Sequence, residues 1–280
     1  MIKESELILN SDGSIYHLQL KPGEVAKTII TVGDPDRVDN ITSHFDSITV
    51  NKRNREFKTV TGMLGNKRLT VIATGIGTDN IDIVFNELDA LFNIDFKTRT
   101  IKDNLISLDF IRIGTSGSIN PKIPVNSIVV SQSAVGLDGL LNFYNAKKMC
   151  CLELESAFKE QTDIPNSYAV QCSAKLLSKF ESIGTKGITI TADGFYGPQS
   201  RNLRLDYKYN LVEMTKDFSF EGTEITNLEM ETAGIYGLAK MLGHNAISLN
   251  AILASRCNGE FSNKPSEIIN DLIQKTLQLI

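Results

Sequence analysis

The chain has 280 residues, of which 41% are hydrophobic and 22% are charged, and its formal net charge is −4. That length suits one large α/β domain or two small ones, and the composition excludes a globally disordered chain. With 29 basic against 33 acidic residues and no basic block, the charge argues against a dedicated nucleic-acid-binding or membrane-surface protein.

Strand and helix patterns alternate from the start of the chain. Residues 27–33 and 69–75 predict buried strands that end in glycine, and a helical pattern follows each of them. Asp34 is a candidate N-cap of the first helix, and Pro35 suits its first turn. The second helix has one apolar face, formed by Ile81, Val84, Phe85, Leu88, Leu91 and Phe92.

The alternation continues to the end of the chain. Residues 95–106 are more polar and predict a loop or an added edge element. Further strands are predicted at LDFIRIG, which ends at Gly114 before TSGSI, and at NSIVVSQSAV, KGITITADG and AISLNAILASR. Further helices are predicted at VQCSAKLLSKFESIG, closed by Gly184, at ETAGIYGLAKMLG, closed by Gly243, and at SEIINDLIQKTLQLI, capped by Ser266.

This order of elements predicts an α/β fold with a largely parallel or mixed central sheet, built as a single domain over residues 1–280. Ligands of such sheets bind beyond the carboxyl ends of the strands. Glycine-containing turns follow three of the strands, in VGDPDR, ATGIGTDN and RIGTSGS, and the loop TADGFYGPQSR follows a fourth. These turns can therefore converge on one cleft.

Two of the turns carry groups that suit an anion. VGDPDR combines the Gly33 amide, a helix N-terminus and Arg37, without the pattern of a Walker loop or of GxGxxG. RIGTSGS adds Arg112, in an otherwise apolar strand, and the hydroxyl of Thr115. A buried arginine needs a partner, and both a phosphate and an internal carboxylate remain open for Arg112. An ordinary strand-to-helix turn with a surface arginine is the alternative for Arg37.

Two other segments suit a nucleoside. NLEMETA places Glu229 and Glu231 two apart on an extended segment, so we expect them to point in opposite directions, with one able to bind the vicinal diol of ribose. A helix N-terminal charge is the alternative. In the loop, Gln199 and Arg201 match the acceptor–donor–acceptor edge of uracil, and Phe195 can stack on the ring. A solvated turn is the alternative for this loop.

The chain resembles the phosphorolytic nucleoside phosphorylase family. The resemblance rests on GDPDRV, NREF, TGIG, FIRIGTSGSI, GFYGPQSR, NLEMETA and ILASR, which occur in family order over nearly the whole chain. It implies a three-layer α/β/α domain with a twisted mixed sheet. It also implies that inorganic phosphate is a co-substrate and that no cofactor is needed.

The resemblance also implies roles for individual residues. The implied phosphate ligands are Gly33, Arg37, Arg112, Thr115 and, from a neighbouring subunit, Arg55. The implied ribose ligands are Thr115, Met230, Glu231 and, again from the neighbour, His17. The implied base ligands are Gly117, Phe195, Gln199, Arg201, Leu253 and Arg256, the last on a mobile flap. Arg37, Arg112, Thr115, Glu231, Gln199 and Arg201 would form the catalytic set.

Some positions depart from the family pattern. Purine-cleaving relatives carry an aspartate after the last strand, and this chain continues NAILASR instead, which favours a pyrimidine. The loop has Gly197-Pro198 where Pro-Gly is common, and Ser116 where a second threonine is common. Some members bind a monovalent cation at an interface; Glu56 and Ile76 fit that site, but Asn80 replaces its serine.

The expected reaction is the phosphorolysis of uridine to uracil and ribose 1-phosphate, in a homo-oligomer that is at least a dimer. The alternatives are a purine nucleoside phosphorylase, a nucleosidase and a non-catalytic nucleoside-binding protein on the same fold. The cysteines lack metal-ligand spacing, and no metal is expected. Without an apolar run of roughly 20 residues or a signal-peptide pattern, the chain is expected to be cytoplasmic, with no membrane or nucleic-acid partner.

Overall fold

Strands and helices alternate throughout the computed structural model, which describes residues 1–280. The predicted α/β class with a mixed sheet is confirmed. The chain divides into two compact units, Met1–Ile111 with Leu242–His244, and Arg112–Met241 with Asn245–Ile280. A single domain over the whole chain stays a prediction. None of the helices has both the length and the apolar character that a bilayer crossing requires.

The first unit contains a sheet in the order β1-β4-β3-β2. Its elements are β1 (Thr28–Val32), α1 (Pro35–Thr42), β2 (Ser47–Asn54), β3 (Phe57–Leu64), β4 (Lys67–Ala73), α2 (Thr78–Asn93), β5 (Ile94–Asp95) and β6 (Thr100–Ile101). Strands β1 and β4 are parallel, and the other neighbours in this sheet are antiparallel. The carboxyl ends of β1 and β4 therefore lie at the same edge.

The second unit begins at Arg112, within strand β7. Its elements are β7 (Asp109–Ser118), β8 (Ile128–Gly136), α3 (Leu152–Thr162), β9 (Tyr168–Gln171), α4 (Ala174–Phe180), β10 (Thr185–Thr191), α5 (Leu211–Thr215), β11 (Ser219–Phe220), β12 (Thr223–Glu229), α6 (Thr232–Met241), β13 (Asn245–Ser255), β14 (Glu260–Phe261) and α7 (Pro265–Leu279). Short 3-10 turns occur at Leu140–Phe143, Lys147–Met149, Glu181–Ile183 and Gly197–Gln199.

The strands of the second unit close into a ring. Their order is β11-β12-β10-β8-β13-β7, and β7 also pairs with β12 through Gly117 with Leu228 and Ser118 with Asn227. Strands β8, β10 and β12 are parallel to one another, and β13 is antiparallel to β8. The loops after β8, β10 and β12 consequently leave from one edge, and of these only the loop after β10 was among the predicted ligand-binding turns.

Several sequence predictions of local structure are confirmed. The Asp34 carboxylate caps α1 by accepting a hydrogen bond from the Asp36 amide at 2.9 Å, and Pro35 occupies the first turn. The predicted apolar face of α2 is buried at Ile81, Val84, Phe85, Leu88 and Leu91. Gly243 follows α6 with a φ of +78°, the left-handed conformation expected of a glycine after a helix.

Other predictions of local structure are wrong. The TSGS segment is not a turn, because β7 runs on to Ser118 and is held there by its pairing with β12. The start of VQCSAKLLSKFESIG is strand β9, and α4 begins only at Ala174. The last helix begins at Pro265, with Lys264 and not Ser266 at its N-cap. Helix α3 and the β2–β3 hairpin were not predicted.

The polar segment 95–106 forms part of a small separate hairpin. Strands β5 and β6 pair through Ile94 with Ile101 and Asp95 with Thr100. The turn between them contacts the start of the chain, since the Arg99 carbonyl accepts from the Ile2 amide at 2.7 Å and Arg99 Nη1 donates to the Leu7 carbonyl at 2.6 Å. The predicted added element is thus an anchor for the N-terminal residues.

Candidate active site

The first unit presents a glycine turn and an arginine where its parallel strands end. Gly33 directly follows β1, and Arg37 lies in the first turn of α1 with 9% of its surface exposed. A side chain on Gly33 would lie 3.4 Å from the Gly75 carbonyl, so the turns after β1 and β4 are in close contact. The assignment of Gly33 and Arg37 to phosphate stays a prediction.

His17 is fixed by a carboxylate of α2. Its Nδ1 lies 2.6 Å from Glu87 Oε1, and the same carboxylate accepts the amides of His17 and Leu18 at 2.9 to 3.1 Å. Since a carboxylate accepts, Nδ1 is the protonated nitrogen and Nε2 is the atom left to meet a ligand. Asn54 Nδ2 donates to the His17 carbonyl at 2.7 Å and ties this segment to the end of β2.

Arg55 lies near Tyr16, the residue before His17, on the first unit. Its guanidinium carbon is 5.8 Å from the centre of the Tyr16 ring, which contacts the His17 ring edge-on. Arg55 is exposed and sits in the turn between β2 and β3 with a φ of +53°. The structure thus brings together the two residues predicted to serve a neighbouring subunit.

The residues considered for a monovalent cation also lie close together. An added side chain on Gly75 would lie 3.1 Å from Glu56 Cγ and 2.5 Å from Asn80 Nδ2. Asn80 Nδ2 donates to the Ile76 carbonyl at 3.4 Å. The side-chain amide of Asn80 therefore donates to the Ile76 carbonyl, the oxygen that a cation at this site would need.

Arg112 is the centre of a buried charge cluster in the second unit. It lies on β7 with 6% of its surface exposed, and its Nη2 donates to Glu231 Oε2 at 2.5 Å and lies 3.1 Å from Glu229 Oε2. Its Nη1 donates to Asn250 Oδ1 at 2.7 Å. Of the two partners left open by the sequence, the internal carboxylates are present, and a phosphate contact stays a prediction.

The expectation that Glu229 and Glu231 point in opposite directions is wrong. Strand β12 ends at Glu229, the chain bends at Met230, and α6 begins at Thr232. The alternation of side chains along a strand therefore stops between the two glutamates. Both carboxylates reach the same guanidinium nitrogen of Arg112.

Burial and charge together set the protonation of this cluster. Burial works to lower the pKa of Arg112, but the charges of Glu229 and Glu231 outweigh it, so the pKa is raised and the guanidinium stays protonated. Burial raises the pKa of Glu229, and Arg112 opposes that rise. Glu229 also accepts from the Thr191 hydroxyl at 2.7 Å and from the Thr232 amide at 3.0 Å, so it anchors the start of α6.

Gly114 makes room for the arginine. A side chain built on Gly114 would collide with Nη1 and Cζ of Arg112, so the guanidinium lies directly over the strand backbone. Any larger residue would displace it. Thr115 and Ser116 follow on the same strand, half-buried, and the Ser116 hydroxyl accepts from Asn227 Nδ2 at 2.9 Å.

The loop after β10 brings its predicted base ligands together. The Arg201 guanidinium carbon lies 3.7 Å from the centre of the Phe195 ring, and Nη1 donates to Gln199 Oε1 at 2.5 Å and to the Phe195 carbonyl at 2.7 Å. Gln199 is buried, and its Nε2 lies 3.5 Å from the Glu229 carbonyl. Burial and the nearby charge of Arg256 lower the pKa of Arg201 to about 10, so it remains cationic at neutral pH.

The remaining predicted base ligands surround this loop. Arg256 donates from Nη1 to the Gln199 carbonyl and from Nη2 to the Ser200 carbonyl, both at 2.8 Å. A side chain on Gly117 would lie 3.6 Å from Arg201 Nη2 and 3.8 Å from Arg256 Cγ. The half-buried Leu253 lies on β13. Arg256 therefore holds the loop backbone, and its predicted base contact stays a prediction.

Sequence reasoning missed two polar groups at the centre of this arrangement. The sequence analysis assigned no separate role to Glu229 beside Glu231, and it placed Asn250 in a predicted strand without giving it a role. Asn250 is fully buried. A polar residue within the run ISLNAILAS was a usable signal, because a buried amide needs hydrogen-bond partners.

The second unit combines an arginine–carboxylate cluster with a loop that carries an amide, a guanidinium and an aromatic ring. This combination is typical of a protein that binds a polar, planar small molecule. The chain belongs to the phosphorylase superfamily, whose family model matches residues 27–279. The resemblance noted from the sequence motifs is confirmed.

Individual relatives narrow the comparison. The uridine phosphorylase of Thermococcus kodakarensis is 30% identical over 254 residues, covering 89% of this chain and 80% of that protein. The uridine phosphorylase of Escherichia coli is 28% identical over 260 residues, 90% of each chain. The crystal structure of a Trypanosoma brucei nucleoside phosphorylase, described as showing uridine phosphorylase activity, aligns with a TM-score of 0.89 at 28% identity over 98% of both chains.

Proposed function

We propose that this chain catalyses the reversible phosphorolysis of uridine to uracil and ribose 1-phosphate. Family membership and the uridine phosphorylases among its relatives support this reaction. The observation that carries it is the arrangement of Gln199 and Arg201 beside Phe195, because it sets a matched hydrogen-bonding edge next to an aromatic ring. A purine nucleoside phosphorylase is the lesser alternative.

The base loop has the chemistry to recognise uracil. Gln199 offers an amide that can both accept from N3–H and donate to a carbonyl, and Arg201 offers only donors, which suits the remaining carbonyl. In the structure these two side chains satisfy each other through the bond from Arg201 Nη1 to Gln199 Oε1. Uracil would replace that bond with two bonds of the same kind.

In the reaction, the bond between C1′ and N1 breaks and its electron pair moves onto uracil, spreading to O2 and O4. A phosphate oxygen then forms the new bond to C1′ with inversion, and the proton of hydrogen phosphate ends on uracil. Positive charge on the sugar and negative charge on the base develop together in the transition state. Arg201 stabilises the leaving base, and positioning and electrostatics account for the acceleration.

The cluster around Arg112 supplies the other half of the chemistry. Glu231 accepts from Arg112 and is assigned to the ribose hydroxyls, and Arg112 with Thr115 is assigned to phosphate. The two carboxylates at Nη2 restrict the orientation of this guanidinium. With these assignments, the phosphate and Glu231 supply negative charge to the sugar on which positive charge develops.

The proposed reaction predicts a phosphate-dependent loss of uridine. Ultraviolet absorbance should fall when enzyme, uridine and phosphate are combined, and should stay constant without phosphate or with inosine in place of uridine. Cleavage without phosphate would identify a nucleosidase, and cleavage of inosine would contradict the assignment of the base loop. Binding of uridine without turnover would favour a non-catalytic nucleoside-binding protein.

We also propose that the active form is at least a dimer, with His17 and Arg55 of one chain completing the site of the next. Their adjacency on the first unit and the partial exposure of His17 support this arrangement, since one surface could deliver both. A cytoplasmic location remains part of the proposal.

Complementation between variants tests the shared site. A His17→Ala/Arg55→Ala variant and an Arg201→Ala variant should each be nearly inactive. Co-expressed in equal amounts, they should recover about a quarter of wild-type activity, because half of the dimers are mixed and each mixed dimer has one intact site. Activity no higher than that of the separate variants would show that each chain builds its own site.

A further inference from the structure

The inside of the strand ring in the second unit contains a continuous set of buried polar side chains. We propose that Asn250, to which the reaction above assigns no role, is a positioning residue that fixes Arg112 for binding of the phosphate co-substrate. The proposal rests on the proposed function for the identity of that anion. The contacts of Asn250 and the charge around Arg112 support it.

Asn250 has every group of its amide bound. Its Oδ1 accepts from Arg112 Nη1 at 2.7 Å, and its Nδ2 donates to Ser131 Oγ at 3.0 Å and to Ser248 Oγ at 3.2 Å. The reversed amide would place N–H groups against the guanidinium and would leave Arg112 Nη1 with only the weak contact to Ser248 at 3.4 Å. The orientation of the amide is therefore determined.

The position of Asn250 is itself held by neighbours on successive strands. Ser131 Oγ lies 2.6 Å from Thr189 Oγ1, which donates to Asn227 Oδ1 at 2.9 Å. Asn227 Nδ2 then donates to Ser116 Oγ at 2.9 Å. This chain of hydrogen bonds runs from β13 through β8, β10 and β12 to Ser116 on β7. Ser116 directly follows Thr115, which is assigned to phosphate. A fully bonded polar network of this kind is rigid.

The Asn250 amide also provides Arg112 with a hydrogen-bond acceptor that carries no charge. The guanidinium already faces Glu229 and Glu231 through Nη2, so a third carboxylate would make the cluster strongly repulsive to a phosphate dianion. Asn250 supplies a strong acceptor to Nη1 without adding charge. Arg112 donates from Nη1 to Asn250 and from Nη2 to Glu231, and its Nε–H is not a donor in these two bonds.

Removal of Asn250 should therefore act on phosphate and not on the nucleoside. Asn250→Leu removes the acceptor, and Asn250→Asp keeps it but adds a negative charge. We expect the KM for phosphate to rise about tenfold or more in the first variant and further in the second, with the Kd for uridine unchanged. Asn120→Leu is the matched control, since Asn120 is also buried and hydrogen-bonded but contacts Glu224 and the Ile225 carbonyl.

Two measurements test the role of Asn250. The KM for phosphate and the Kd for uridine should separate in the Asn250 variants and stay at wild-type values in Asn120→Leu. Phosphate should raise the melting temperature of the wild type and not that of Asn250→Leu. This second result would support the role of Asn250 even if uridine were not cleaved. An unchanged KM in folded Asn250→Leu, an equal rise in Asn120→Leu, or a wild type that phosphate does not stabilise would overturn the proposal.

Discussion

Replacement of Arg201 by alanine should lower kcat/KM for uridine by about 10²–10³-fold, which corresponds to about 2.7–4 kcal/mol of transition-state stabilisation. In the proposed reaction, Arg201 is the cation assigned to the uracil ring, which takes up negative charge. Its partial burial, seen in the lowering of its pKa to about 10, makes its charge act through a poorly screening environment. Spectrophotometric assay of uridine cleavage at saturating phosphate measures the effect.

The loss should fall mainly on kcat. Charge on uracil develops only as the glycosidic bond lengthens, so a contact with that charge is stronger in the transition state than in the bound substrate. Arg204→Ala is the matched control, because Arg204 is an exposed arginine of the same loop. Near-normal turnover by Arg201→Ala, or an equal loss in Arg204→Ala, would contradict the assignment of the base loop.

The sequence predicted those elements whose apolar pattern is decided locally. Strands β1 and β4 are short continuous buried runs, and helix α2 has a buried apolar face with the helical period. The β2–β3 hairpin was missed because β2 is largely exposed and because its turn uses Arg55 at a φ of +53°. Asparagine or glycine usually marks such a conformation, and arginine gives no such signal.

The misreading of β7 has a different cause. Glycine, threonine and serine in succession are typical of a turn, but Gly114 is needed for the approach of Arg112, and Gly117 pairs with Leu228 of β12 and faces the side chains of Arg201 and Arg256. These contacts join residues far apart in the chain. No pattern within the segment could distinguish a turn from a strand with close neighbours.

The sequence predicted which residues of the base loop act together, but it did not predict the contacts between the two glutamates and Arg112. The residue types of the base loop were enough to predict that Gln199, Arg201 and Phe195 act together, and the structure brings them into contact. The joint hold of Glu229 and Glu231 on one arginine was not predictable, because it depends on where β12 ends. A shift of the strand end by one residue would have pointed the two carboxylates apart.

Removal of the Arg112 charge should have the largest effect on stability. Arg112→Met would leave the buried carboxylates of Glu229 and Glu231 without their cation, which should lower the free energy of unfolding by about 3–5 kcal/mol. Urea denaturation followed by circular dichroism measures this change. Phosphorolysis should also be lost, since the assigned phosphate ligand is absent.

The deficit should depend on pH with a definite sign. Burial and the charge of Glu231 raise the pKa of Glu229, and without Arg112 nothing of opposite charge counters that rise above the unfolded value. A raised folded pKa stabilises the native state below the unfolded pKa and loses that effect as the pH rises through the folded pKa. The gap between Arg112→Met and wild type should therefore be smaller at about pH 5 than at about pH 8. A gap independent of pH would point to lost packing and not to unpaired charge.

A triple variant separates stability from function at this cluster. In Arg112→Met/Glu229→Gln/Glu231→Gln the three charges of the cluster are gone, and replacing a whole buried ion cluster by neutral groups is often close to neutral for stability. The triple variant should thus recover most of the lost free energy of unfolding and should stay inactive. If Arg112→Met alone were as stable as wild type, the loss of their cation would cost the buried carboxylates nothing, and the expected role of Arg112 as their charge partner would be contradicted.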